Sequence, residues 1–232
     1  MALKYVALVG GVGGAKLAYG LAQILPPEQL TIIVNTGDDF SLYGLRICPD
    51  IDTIMYTLAE MVDKANGWGV SGDTRHMMGS LRRYGDNPWF RLGDQDMATH
   101  LLRTQWSGDG QTLTQITARL AAALRVKPTI LPMTDDPVAT MVNTVEHGEI
   151  AFQSYFVRYR WQPTVKSLRL AGVENAKMTP DVCHALEQAD VILIGPSNPW
   201  LSIDPILSVP GGTGFDFIAS YSACGCHPNC WG

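Results

Sequence analysis

Four times in this chain two carboxylates stand side by side or two residues apart: Asp38-Asp39, Asp50-Ile51-Asp52, Asp94-Gln95-Asp96 and Asp135-Asp136. Charged residues make up only 17% of the sequence, so the pairs stand out against a sparsely charged background. Adjacent carboxylates repel, and once buried together they need a cation, hydrogen bonds or a shared proton. Mg²⁺ meets that need through oxygen ligands, and it commonly bridges carboxylates to a substrate's phosphates. An extended backbone would put Asp50 and Asp52 on one side. The alternative reading of each is a helix cap or turn, with Asp52 capping a helix from Thr53 and Asp94 or Asp96 capping the next one.

A second group of residues suits phosphate. Gly10-Gly11-Val12-Gly13-Gly14-Ala15-Lys16 follows the apolar run Tyr5–Val9 and precedes an apolar, helix-like segment from Leu17 to Ile24. Strand, glycine turn and helix together bring backbone N–H groups and the positive end of a helix dipole to a ligand. The candidates are Gly10, Gly11, Gly13, Gly14 and Lys16. The spacing is neither that of a P-loop nor a clean G-x-G-x-x-G, and a tight turn without a ligand is the alternative. Gly195-Pro196-Ser197-Asn198-Pro199 also follows a strand-like run. Gly195, Ser197 and Asn198 offer it amides and a hydroxyl for a phosphate or a base edge, and a rigid proline turn is the alternative. Arg46, Arg75, Arg91 and Arg103 lie near the acidic motifs, where a guanidinium clamps phosphate bidentately or stays solvated at the surface. His100 reads as a structural histidine, with a role as a base the alternative. No Ser-His-Asp or Cys-His constellation can be assembled, which leaves little support for covalent catalysis.

The elements that must position these groups follow from the apolar pattern. Leu30–Val34 is a second buried strand, ending at Asn35-Thr36-Gly37-Asp38-Asp39. Strand, helix and strand in this interval form a βαβ unit, with parallel pairing and a right-handed crossover. Ligands of open α/β sheets lie beyond the carboxyl ends of the strands, so the glycine turn and the loop 35–39 should share one rim. Helical spacing covers 51–65, 74–84, 97–105 and 113–125. A strand is expected at 128–132, a hairpin from 139–145 with 150–157, a helix over 180–188 and a buried strand at 191–194. The expected fold is α/β: a Rossmann-like, mostly parallel sheet with a helical insertion at about 60–125.

With 232 residues, 46% of them hydrophobic, the chain can bury one sizeable core. A formal net charge of −5 without a basic run argues against nucleic-acid binding. No apolar stretch is long enough to span a membrane, and the amino terminus lacks a signal-peptide pattern. The expected location is the cytoplasm.

The ordered set of motifs resembles the 2-phospho-L-lactate transferase family of deazaflavin coenzyme F-420 biosynthesis. The matching blocks are the glycine turn, Asn35–Asp39, Cys48–Thr53, Trp68-Gly69 with Gly72–Thr74, Leu92–His100, Leu131–Val138, Phe152–Val157 and Ile194–Pro199. They span roughly residues 4–211. The resemblance implies transfer of a phospho-hydroxyacyl group (phospholactyl or its enolpyruvyl or glyceryl relative). The donor would be a guanosine diphosphate ester and the acceptor the ribityl hydroxyl of the deazaflavin Fo. GMP would leave, Mg²⁺ would be required, and the enzyme would be a homodimer. It places Asp50 and Asp52 at the Fo hydroxyl and the metal. The glycine turn and Gly195–Asn198 would hold the guanosine nucleotide, and Thr36, Asp94 and Asp135 would line the cleft. A non-catalytic nucleotide- or sugar-binding regulator on the same fold is the rival reading, and an NAD-type oxidoreductase is a more distant one.

Residues 212–232 do not follow the family pattern. The expectation is a truncated or frame-shifted product with an open sheet edge. The alternative is a tail in which Cys224, Cys226, His227 and Cys230 bind Zn²⁺, at a spacing tighter than usual zinc sites.

Overall fold

The computed structural model describes residues 2–211. The Zn²⁺ reading of the tail therefore lies outside the described residues. Four parallel strands form the central sheet: β1 (Tyr5–Val9), β2 (Leu30–Val34), β5 (Thr129–Pro132) and β9 (Val191–Ile194), in the order β5-β2-β1-β9. β1 lies between β2, where Val9 pairs with Val34, and β9, where Leu8 pairs with Ile194. A strand flanked on both edges and covered on both faces must be apolar at nearly every position. Val6 to Val9 are all buried.

The period of two along β1 divides the core. Ala7 and Val9 face α1 (Gly11–Ile24), α2 (Pro49–Leu58) and α5 (Leu113–Ala123), against Ala15, Ala18, Ile51, Ile54, Met55, Ile116 and Leu120. Val6 and Leu8 face the other way, toward Val182 and Leu186 of α6 (Pro180–Glu187) and Ile206 of α7 (Asp204–Ser208). Each fully buried side chain of this size contributes roughly 1.5–3 kcal/mol. The two layers make a doubly wound α/β domain, with the expected parallel sheet.

Helices α3 (His76–Arg83) and α4 (Asp94–Gly108) come before α5 and pack on a two-stranded hairpin, β3 (Phe40–Leu42) with β4 (Leu45–Ile47), around Leu42, Ile47, Met78 and Leu92. A second sheet is antiparallel: β7 (Gly148–Ala151), β6 (Ala139–Thr144) and β8 (Val165–Ala171), in the order β7-β6-β8. The expected second hairpin strand, 150–157, is short. It ends at Ala151 and passes into a π-helical turn at Ser154–Arg158. Neither β8 nor the β3–β4 hairpin was expected from the pattern, because β8 is exposed at most positions and shows no alternation of apolar and polar residues.

Two helix starts differ from expectation. α1 begins at Gly11 rather than Leu17, so most of the glycines lie inside its first turn. α2 begins at Pro49, whose fixed φ suits the first helical position, so Asp52 does not cap a helix at Thr53. Asp50 and Asp52 therefore point about 200° apart around a helix and do not share one side of an extended strand.

Candidate functional site

The loops after β1 and β2 meet at Asp50, in the first turn of α2. Its Oδ2 accepts a hydrogen bond from Asn35 Nδ2 at 2.9 Å, and the carboxylate also accepts one from the backbone N–H of Gly11. Asn35 is fixed in turn: its Oδ1 accepts the Gly37 N–H at 2.8 Å, and its Nδ2 reaches Leu201 O at 3.2 Å. The anion at the amino end of α1 is thus the protein's own carboxylate. Gly11 sits at φ +58, a conformation open chiefly to glycine. A Cβ at Gly10 would come within 2.5 Å of Asp50 Oδ2.

The other glycines are explained by chain crossing chain. A Cβ on Gly13 would collide with Pro196 O, and one on Gly14 would lie 2.7 Å from Val9 Cβ and 2.8 Å from Ser197 Oγ. Ser197 Oγ accepts the Gly10 N–H at 3.0 Å and donates to Gly10 O at 2.7 Å. The loop after β9 therefore closes over the glycine turn. Gly195 is buried there, while Asn198 is exposed and caps the turn at Pro199–Ile203 through Trp200 N and Leu201 N. Lys16 is exposed in the second turn of α1.

Beside Asp50 lie two more carboxylates, Asp38 buried and Asp39 half-buried. Burial raises Asp38 well above its ordinary value, and the charges of Asp50 and Asp39 raise it further. Burial brings Asp50 to about 6, with Asn35 and Gly11 pulling the other way. Asp39 is raised to about 7 by burial, against Arg46, whose Nη2 is 3.6 Å away, and Cys48, whose Sγ donates to it at 2.9 Å. Oδ1 of Asp38, Oδ1 of Asp39 and Oγ1 of Thr36 are buried with no protein partner.

Thr36, Asp39 and Arg46, but not Asp38 or Asp50, line a cavity of about 620 Å³ beyond the carboxyl ends of β2 and β5, together with Phe40, Asp135 and Val138 among others. A groove of about 640 Å³ at the amino ends of the strands, lined by Lys4, Thr129 and His184, holds none of the expected site residues.

Asp52 faces a different neighbourhood. Arg103 of α4, fully buried, sets its guanidinium on both Asp52 oxygens, with Nη1 3.1 Å from Oδ2 and Nη2 on Oδ1. Arg103 Nη1 also lies 3.2 Å from His100 Nδ1. His100 Nε2 is 3.2 Å from Asp96 Oδ2, and the Tyr56 hydroxyl donates to Asp96 Oδ1 at 2.8 Å. Ligand atoms of Asp52, Asp96 and His100 all lie within 4.8 Å of one another, close enough for a metal. The guanidinium already supplies the positive charge there. Burial opposes that charge, but Asp52, Cys48 and Asp39 hold the Arg103 pKa above its ordinary value. Arg103 clamps a carboxylate of its own protein, where the sequence had left it either a phosphate clamp or a solvated surface residue.

The family model described as "2-phospho-L-lactate transferase CofD" matches residues 5–214. The chain belongs to this family. It is 44% identical over 213 residues to a phosphoenolpyruvate transferase of Streptomyces coelicolor, covering 90% of this chain and 67% of that protein. It is 42% identical over 202 residues to a 2-phospho-L-lactate transferase of Methanosarcina mazei, covering 87% and 66%. The chain thus spans about two thirds of the length of these relatives. In fold it is similar to a solved Bacillus halodurans protein with a TM-score of 0.62 at 19% identity, covering 90% of this chain and 64% of that one.

Within this family member, Asp50, Thr36 and the glycine turn share one rim of the sheet. Asp135 lines the cavity but spends Oδ1 on Thr114, accepting from its N at 2.7 Å and its Oγ1 at 2.8 Å. Asp94 has a structural task. It accepts from Thr74 Oγ1 at 2.5 Å, His76 N at 2.8 Å and Met77 N at 3.0 Å, and so caps α3. The cap of α4 comes from Asp73, which accepts from Gln95 N and Asp96 N. The expectation that Asp94 or Asp96 caps its own helix is corrected to this exchange. Asp38 and Asp39 were read only as one of the acidic pairs and Arg103 only as a phosphate clamp or surface residue, while Asn35 was given no role of its own. Asn35, Asp38 and Asp39 lie in the rim loop already flagged, but no spacing rule links Arg103 to Asp52, 51 residues away.

Proposed function

We propose that this chain transfers a phospho-hydroxyacyl group, phospholactyl or its enolpyruvyl or glyceryl relative, from a guanosine diphosphate ester to the ribityl hydroxyl of the deazaflavin Fo. The new bond joins the ribityl oxygen to the hydroxyacid-bearing phosphorus, the bond from that phosphorus to GMP breaks, and GMP leaves. Membership of a transferase family supports the reaction class. The observation that carries the residue assignment is Asp50, a buried carboxylate next to Asp38 with no cationic side chain paired to either among the described residues.

Asp50 holds and orients the attacking hydroxyl. A carboxyl near 6 is a better proton acceptor at neutral pH than an ordinary aspartate, and the hydroxyl proton passes to it or to water. The cavity's carboxylates, Asp39, Asp135 and Asp136, suit an uncharged polyol acceptor better than a phosphate. The donor's phosphates then belong at the rim of the glycine turn and the loop 195–198, in line with the acceptor oxygen. Asp50 would hold Mg²⁺, which when bound would supply charge neutralisation at the phosphates; among the described residues it is Asp52, Asp96 and His100, and not Asp38, Asp39 and Asp50, whose ligand atoms come within 4.8 Å of one another. Asp52, expected as a second metal ligand, holds the start of α2 through Arg103.

Incubation with Fo, Mg²⁺ and each candidate donor, read by GMP release, tests this reading. Release with one donor that depends on Fo is expected. Donor binding without release in any combination would favour the non-catalytic regulator.

A further inference from the structure

One buried amide joins the loop after β2, the first turn of α2 and the loop after β9. Asn35 is fully buried, and its backbone N–H continues the β1–β2 ladder by donating to Val9 O at 3.0 Å. Its side chain has a partner for every donor and for its acceptor. Oδ1 accepts the Gly37 N–H at 2.8 Å, which closes an Asx turn at the start of the loop 35–39. Nδ2 donates to Asp50 Oδ2 at 2.9 Å and to Leu201 O at 3.2 Å. These partners leave one orientation of the amide. Turned over, it would set its oxygen against a carboxylate and a carbonyl, and its NH₂ against the Gly37 N–H. They also select the residue type. An aspartate would keep the turn and lose both donations, and a leucine would lose the turn as well. Leu201 is held from both sides, its N–H by Asn198 Oδ1 at 3.1 Å and its carbonyl by Asn35. The loop that closes over the glycine turn is thus tied to Asp50 through a single nitrogen.

We propose that Asn35 is a positioning residue for the transfer, holding the Asp50 carboxylate in one plane and setting it at a fixed offset from the loop 195–201. The assignment rests on the reading of Asp50 as the group that orients the ribityl hydroxyl. Asn35 at Oδ2 and the Gly11 N–H give the carboxylate two points of attachment, which stop it from swinging. The hydroxyl that Asp50 holds must meet the donor's phosphorus in line, and a misplacement of about 1 Å costs roughly 10²-fold in rate. Asn35 itself is sealed from the cleft, so it acts through Asp50. Its second hydrogen bond, to Leu201 O, links that carboxylate to the loop proposed to hold the donor.

The test is a double-mutant cycle. Asn35→Ala would remove the turn together with the donors, so the variant used is Asn35→Ser, whose hydroxyl still accepts the Gly37 N–H but is too short for Asp50 or Leu201. Parent, Asn35→Ser, Asp50→Asn and the double variant are compared by steady-state GMP release with Fo, Mg²⁺ and the guanosine donor that the parent uses. Asn35→Ser is expected to lower kcat roughly 10- to 100-fold at unchanged KM for the donor. In the Asp50→Asn background it should lower kcat no further, whereas a general loss of folded structure would lower it in both. A crystal structure of Asn35→Ser gives a readout apart from turnover: the Asp50 carboxylate should be rotated, with the glycine turn in place. Full transfer by Asp50→Asn overturns the reading of Asp50 and this inference with it. A slow Asp50→Asn beside an Asn35→Ser with the parental kcat overturns this inference alone. So do equal losses in the two backgrounds, or an Asp50 carboxylate that has not moved in Asn35→Ser.

Discussion

Arg103 and Asp52, 51 residues apart, meet as a guanidinium fork on a carboxylate in the interior between α4 and α2. The pair ties the inserted helices to the helix whose first turn carries Asp50. Removing one partner leaves a buried charge uncompensated, which costs about 3–5 kcal/mol. Arg103→Met and Asp52→Asn should each lower urea-unfolding stability by that order. The double variant should lose less than the sum of the two. Additive losses would show that the two side chains are not coupled.

Asp50→Asn keeps the shape and the Asn35 contact region but removes the charge. Transfer to Fo should fall by at least about 10²-fold while calorimetric binding of the guanosine donor persists. Retained transfer would remove Asp50 from the chemistry.

Stability should fall as pH rises. In the folded chain Asp50 and Asp39 titrate at about 6 and about 7, above the ordinary 3.8, and Asp38 is raised as well. Folding therefore favours their protonated forms. That contribution is complete below about pH 4 and is lost as pH climbs through 6 and 7. Asp63 and Asp94, both lowered, act in the opposite sense only at more acidic pH. Tm measured in a chelator should decline between pH 5 and 8, and Mg²⁺ should flatten the decline. A Tm that rises over that interval would contradict the buried-carboxylate account.

Two glycines of α1 should respond oppositely to alanine. At Gly13 the new methyl meets Pro196 O, a backbone atom that cannot swing away, and a loss of about 1–3 kcal/mol is expected. At Gly20 nothing lies within 4 Å, and alanine should add up to about 1 kcal/mol through helix propensity. Chemical denaturation of the two variants distinguishes packing from propensity.

The exchanged caps predict local effects. Asp94→Ala should speed amide exchange in the first turn of α3, where it caps His76 and Met77. Asp73→Ala should do so in the first turn of α4. Faster exchange in α4 alone on losing Asp94 would contradict the exchange.

Much was legible in the sequence, because some signals are local. The buried runs 5–9 and 30–34 are apolar at successive positions because central parallel strands meet core on both faces, and that needs no knowledge of their neighbours. The run 191–194 was expected to be a buried strand as well, but β9 lies at the edge of the described sheet, with Ile194 54% exposed. The ordered motifs identified the family, and the rim shared by the glycine turn and Asn35 followed from the βαβ rule alone. Tertiary structure decided what the polar residues are for. Whether a glycine faces a ligand or Pro196 depends on a loop more than 180 residues away. Whether Asp52 binds a metal or Arg103 depends on where an inserted helix lands. Spacing along the chain carries the period of a helix or strand, but a charge finds its partner through space, and only the folded packing brings Arg103 to Asp52 and leaves Asp38 and Asp50 without a cationic side chain among the described residues.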